Sequence, residues 1–157
     1  FTGITPLVPE DQVNYRFNAS YRVSNGVTMR TRVETVKYKL SDAPQENGFL
    51  IYEDIIHRPL HGRVEFTGRV AIYSTDSYNS RLYAFESDIP GVYSLPPIYG
   101  TGMLWYAMIR YSPARHLDLW VRYGSKVFDG QTSISSGLQE ISGDRDNDLK
   151  LAARYTF

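Results

Sequence analysis

Apolar and polar residues alternate along most of this chain with a period of two, the repeat of a strand whose side chains fall on opposite faces. In VNYRFNASYRV, Val13, Tyr15, Phe17, Ala19, Tyr21 and Val23 share one parity, while Asn14, Arg16, Asn18, Ser20 and Arg22 share the other. The Ser24, Asn25, Gly26 stretch that follows carries the Asn-Gly signal of a tight hairpin. VTMRTRVET then sets Val27, Met29, Thr31 and Val33 against Thr28, Arg30, Arg32 and Glu34. In GRVEFTGRVAIY, Val64, Phe66, Gly68, Val70 and Ile72 oppose Arg63, Glu65, Thr67, Arg69 and Ala71. HLDLWVRY sets Leu117, Leu119, Val121 and Tyr123 against His116, Asp118, Trp120 and Arg122, and GMLWYAMIRY puts Arg110 opposite Trp105, Ala107 and Ile109. FLIYEDII is ambiguous, because Glu53 and Asp54 take opposite parities. The closing DNDLKLAARYTF has Leu149, Leu151, Ala153, Tyr155 and Phe157 on one side and Asp148, Lys150, Ala152 and Arg154 on the other. No helical periodicity of useful length competes with these strands.

Two architectures fit such a pattern. In a soluble barrel or sandwich the apolar parity points inward and the charged parity meets water. In an outer-membrane barrel the apolar parity meets lipid and the charged parity lines the interior. Three features favour the second. The apolar faces are about 10 residues long and rimmed by aromatic residues, as a lipid-facing band requires. Tight connections (Ser24 to Gly26, Arg58 to Gly62, Ser112 to His116) alternate with longer polar ones (Ser41 to Gly48, Phe128 to Asn147), as periplasmic turns alternate with outer loops. The final strand ends on an aromatic residue, and Leu149, Leu151, Tyr155 and Phe157 resemble the C-terminal signal that the assembly machinery of bacterial outer membranes recognises. Expected partners are therefore the lipid bilayer and that machinery, with the C-terminus periplasmic.

Composition narrows the functions open to such a sheet. A formal net charge of zero gives no support to non-specific attraction to nucleic acid. The absence of cysteine excludes a disulfide scaffold and thiolate metal sites. Thirteen tyrosines suit a surface on which apolar side chains end at water. No apolar run approaches the roughly 20 residues of a membrane-spanning helix.

The stretch from Tyr73 to Gly124, YSTDSYNSRLYAFESDIPGVYSLPPIYGTGMLWYAMIRYSPARHLDLWVRYG, together with SSGLQEISG at Ser135 to Gly143, carries a closer resemblance. It resembles the C-terminal barrel region of Bacteroidota outer-membrane proteins known as helix-hairpin-helix proteins, over most of the chain from about Asp11 onward. That name comes from an N-terminal DNA-binding-like segment with no counterpart here, so the resemblance implies a membrane barrel, and nucleic-acid binding is not carried over to this region.

Candidate chemistry is sparse. His57 and His61 stand four apart in HRPLH, a ligand spacing on a helix, but Pro59 and Gly62 make this stretch a turn. Asp144, Asp146 and Asp148 take the first three spacings of a calcium loop, without its glycine and late glutamate. Asn18 heads a glycosylation sequon inside a strand. Serine and histidine are present without the spacing of a hydrolase. We expect no catalytic residue, cofactor or metal.

The arginines say more. Arg16, Arg22, Arg30, Arg32, Arg63, Arg69, Arg110, Arg122 and Arg154, with Glu34, Glu65, Asp118 and Asp148, lie on the parity opposite the apolar face. An arginine at the bilayer midplane costs about 2 to 4 kcal/mol, so this parity is expected to face a lumen. There it forms an anion-favouring pore or a salt-bridged plug, the plug being favoured. The expectation is an all-β antiparallel outer-membrane β-barrel, or the C-terminal part of a larger one, with residues 1–10 as an extension or loop and 11–157 as barrel strands. Its function would be that of a non-enzymatic scaffold, complex subunit or channel component. A soluble ligand-binding barrel and an outer-membrane hydrolase are the alternatives. About nine strands are expected, two of them short (near Arg81 to Phe85 and Gly91 to Leu95). An odd count beginning outside the cell would call for further strands, from the same polypeptide or from another outer-membrane protein.

Overall fold

The computed structural model describes residues 9–93, 95–134 and 141–157. Seven long strands form one antiparallel sheet in the order in which they occur in the chain. They are β1 (Glu10–Ser24), β2 (Val27–Leu40), β3 (Glu46–His57), β4 (Val64–Thr75), β7 (Thr101–Ala114), β8 (Leu117–Phe128) and β11 (Arg145–Tyr155). Two short ribbons complete the fold. β5 (Leu82–Tyr83) pairs with β6 (Pro97–Ile98), and β9 (Ser133–Ile134) pairs with β10 (Ile141–Ser142). The sheet is open, with β1 and β11 as its edges.

This corrects the expected count. The stretches Arg81 to Phe85 and Gly91 to Leu95 add no strand to the sheet, because β4 pairs directly with β7 and residues 76–100 leave the sheet between them. Pro90, Pro96 and Pro97 explain part of this, since each lacks the N–H that a central strand must donate. Most of the segment before β1 lies outside the described residues, as does much of Ser135 to Gly143.

The connections sort by end. Asn25–Gly26, Arg58–Arg63 and Arg115–His116 lie at the end where β11 finishes, and 41–45, 76–93, 95–100, 129–134 and 141–144 lie at the other. The Asn-Gly hairpin forms as predicted, but Gly26 does not adopt the left-handed conformation of the usual two-residue turn. A bulge between Arg22 and Ser24 closes the hairpin instead, and the Gly26 carbonyl accepts the Arg58 N–H at 2.7 Å from the neighbouring turn.

On β2, β3, β4, β7 and β8 exposure falls by parity, in the sense opposite to that of a soluble sheet, while the edge strand β1 is exposed on both faces. Val13, Tyr15, Phe17, Val33, Ile51, Ile55, Val70, Ile72, Ile109, Val121, Leu149 and Leu151 are exposed, whereas Arg32, Glu34, Asp54, Arg69 and Arg122 are buried. Residues 80–88 and Ile98, from the segment between β4 and β7, produce the inversion by lying over the charged face. Leu82, Ala84 and Ile98 from this segment pack with Val36, Leu50, Ala71, Tyr73 and Leu104 into a small apolar core. Gly48 makes the approach possible. A Cβ there would stand 2.3 Å from the Ser80 carbonyl oxygen and 2.7 Å from Val36 Cγ1.

Candidate functional site

The period of two that predicts the strands also stacks their inward side chains into a row across the sheet. Arg32 of β2, Tyr52 of β3, Arg69 of β4, Tyr106 of β7 and Arg122 of β8 alternate cation and ring on five successive strands. Arg32 lies 5.9 Å from the Tyr52 centroid and Arg69 3.7 Å from the same ring; Arg69 lies 5.7 Å from the Tyr106 centroid and Arg122 4.5 Å from it. The register accounts for the row: Arg32 stands opposite Tyr52, and Arg69 opposite Tyr106. Desolvated contacts of this kind are worth about 2 kcal/mol.

Each arginine of the ladder also holds the covering segment by its main chain. Arg32 donates to the Tyr83 carbonyl at 3.0 Å, Arg69 to that of Phe85 at 2.7 Å and Arg122 to that of Ser87 at 3.2 Å. The spacing is again two, because residues 83–87 run extended and alternate carbonyls point the same way. The Ser87 N–H in turn donates to the Tyr106 hydroxyl at 3.1 Å.

Counter-charges complete the row. Arg69 bonds both oxygens of Asp54, at 2.6 and 2.8 Å. Arg32 and Arg16 share Glu34. Arg122 reaches Asp148 and Glu86 at 2.8 Å each and Asp88 at 3.8 Å, and Lys150 reaches Asp88 at 2.5 Å. Gly124 leaves room for the first of these pairs, since a Cβ there would meet Asp148 Oδ1 at 2.6 Å. Nearer the tight turns Arg110 joins Glu65 at 2.7 Å to Asp118 at 3.0 Å, and Arg154 binds Asp118 at 2.8 Å. Arg110 and Arg154 flank the Trp120 ring at 5.6 and 5.1 Å. A cavity of 380 Å³ lies beside this cluster, lined by Arg58, Glu65, Arg110, Trp120 and Arg154 together with Phe85, Ser87 and Pro90 of the covering segment.

The structure thus brings Arg16, Arg32, Glu34, Glu65, Arg69, Arg110, Asp118, Arg122, Asp148 and Arg154 into ion pairs. Arg22 and Arg30 stay exposed outside them among the described residues, and Arg63 turns to the Pro113 carbonyl at 3.3 Å. Sequence reasoning missed Tyr52, Asp54, Tyr106, Glu86 and Asp88. The signal available was an excess of arginine over carboxylate on one parity, which requires acids from elsewhere. It also missed Glu53, which sits on the apolar parity, accepts a hydrogen bond from Thr31 and has a buried Oε1 without a partner among the described residues.

The remaining candidates are scattered. His57 ends β3 and His61 lies in the following turn, while Asp146 and Asp148 belong to β11 rather than to a loop. No group of three or more His, Asp or Glu is placed to hold a metal among the described residues. Asn18 is exposed in the middle of β1. Leu149, Leu151, Tyr155 and Phe157 are exposed, with the Phe157 ring 5.3 Å from that of Tyr155. No protein-family model, curated protein or solved structure matches the chain.

Proposed function

We propose that this chain forms the wall of an outer-membrane β-barrel, or the C-terminal part of one, whose interior is filled by its own residues 76–100. It is a non-enzymatic scaffold or channel component, with the tight turns and the C-terminus on the periplasmic side. The observation that carries the reading is the inverted exposure: an apolar face exposed on strands of 11 to 15 residues, and charge buried on the opposite parity of β2, β3, β4 and β8. Tilted strands of about 9 to 11 residues cross a bilayer, so these are long enough. An apolar face of this extent in water would be an aggregation surface. Within lipid, the open edges of β1 and β11 must be paired.

A plug is better supported than an open pore. The ladder arginines are neutralised by Glu34, Asp54, Glu86 and Asp148 and occupied by main-chain oxygens, which leaves little free positive charge to attract an anion.

The two tryptophans supply the test. Trp105 lies on the apolar parity, whereas Trp120 is buried on the charged face. In vesicles of brominated phosphatidylcholine, the Trp120→Phe protein should be strongly quenched through Trp105, and the Trp105→Phe protein should be quenched little. Equal quenching of the two, or a protein that stays monomeric in buffer without detergent, would refute the membrane assignment.

A further inference from the structure

The zero net charge conceals an axial separation. The three tight connections hold three arginines (Arg58, Arg63, Arg115), two histidines and no carboxylate. The connections at the opposite end carry Asp42, Asp76, Glu86, Asp88, Asp129 and Asp144 against one arginine, Arg81, among the described residues. Arg58 is 67% exposed despite a 3.4 Å contact with Glu65, a carboxylate that Arg110 also engages. Arg63 and Arg115 are exposed too.

These cations adjoin the apolar face directly. Arg63 precedes the exposed Val64, and Arg115 follows the strand that carries exposed Ile109 and Tyr111. Tyr155 lies at the same level, where its backbone pairs with Leu117 beside the Arg115–His116 turn. The ligand that matches an apolar band, an aromatic boundary and then a cationic rim is a phospholipid with an anionic headgroup.

We propose that the tight-turn rim binds anionic phospholipid headgroups and so fixes which leaflet that end of the sheet occupies. This rests on the membrane reading above and adds the lipid class to it. A cation near an anionic membrane surface strengthens binding roughly fivefold at low ionic strength, and the effect fades as salt shortens the screening length.

The test uses the full chain and a variant carrying Arg58→Gln, Arg63→Gln and Arg115→Gln. Each is mixed with vesicles of phosphatidylcholine alone or of phosphatidylcholine with phosphatidylglycerol, and the lipid concentration that captures half the protein is measured. The parent should prefer the anionic vesicles at low salt, and the variant should lose on the order of a hundredfold of that preference while still inserting into neutral vesicles. Replacing the same three residues by lysine should restore the preference, which separates charge from a folding defect. Molar salt should abolish it in the parent. Equal capture of parent and glutamine variant by anionic vesicles would overturn the headgroup proposal alone. Failure of the parent to insert into either lipid would overturn the membrane reading and this proposal with it.

Discussion

The guanidinium of Arg69 lies 3.7 Å from the centroid of the Tyr52 ring, with both groups on the covered face of adjacent strands. The same guanidinium holds Asp54, and both side chains of that pair are at most 6% exposed. Arg69→Gln would leave the Asp54 carboxylate buried without its cation. A loss of about 3 to 5 kcal/mol is expected in urea unfolding from detergent. Arg69→Leu combined with Asp54→Leu should be milder than the single change, and a double variant worse than the single one would contradict this account.

Tyr106→Phe removes the hydroxyl that accepts the Ser87 N–H. An unsatisfied buried donor costs about 1 to 3 kcal/mol, so exchange of the Ser87 amide should quicken by about tenfold to a hundredfold. Amides in the middle of β3 should be unaffected. Uniform acceleration across the sheet would mean that the covering segment and the sheet open as one unit.

Two glycines should respond differently to alanine. At Gly48 the new Cβ meets the Ser80 carbonyl, part of the backbone, at 2.3 Å, so Gly48→Ala should push residues 76–100 off the sheet and destabilise by about 1 to 3 kcal/mol. Limited proteolysis should then cut that segment. Gly91 has a φ of 85° with nothing within 4 Å, so Gly91→Ala should cost only the left-handed backbone conformation, about 1 kcal/mol. Equal protease sensitivity of the two variants would argue against close packing at Gly48.

The apolar face gives a pair of substitutions with opposite signs. Ile72→Arg, in the second half of β4, should destabilise by about 2 kcal/mol if the face meets lipid. It should fall within about 0.5 kcal/mol if the face meets water. If that face meets lipid, Glu53→Gln should stabilise the protein, because it removes a charge from the same face and keeps an acceptor for Thr31. Refolding equilibria in vesicles measure both, and stabilisation by Ile72→Arg would dispose of a lipid-facing assignment.

The long strands and their faces were legible because a period of two is written locally, residue by residue. The parity of Arg32, Arg69 and Arg122 follows directly from it, and so does the end at which each tight turn lies. Residues 76–100 were not legible in the same way. In Leu82, Tyr83, Ala84 and Phe85 both parities are apolar or aromatic, so alternation cannot distinguish a sheet strand from a segment packed across one. Its partners are 16 to 62 residues away, as with Phe85 and Arg69 or Asp88 and Lys150. Asp54 was obscured by its neighbour Glu53, whose carboxylate on the apolar parity breaks the local rule. The Asn-Gly turn was placed correctly, while its backbone conformation was not legible, because the contact of Gly26 with the Arg58 turn is tertiary.

The arginines grip residues 83–87 by main-chain oxygen, which every amino acid supplies alike. Tyr83 and Phe85, at 40% and 59% exposure, can therefore change identity without loosening the grip. Chain length in this stretch has no such freedom. One residue inserted between Tyr83 and Phe85 would turn the next carbonyl to the opposite side and break phase with Arg69 and Arg122 together. Mutational drift here should thus be wide in spelling and strict in length, so that a library of substitutions at these positions yields folded protein where a single-codon insertion does not.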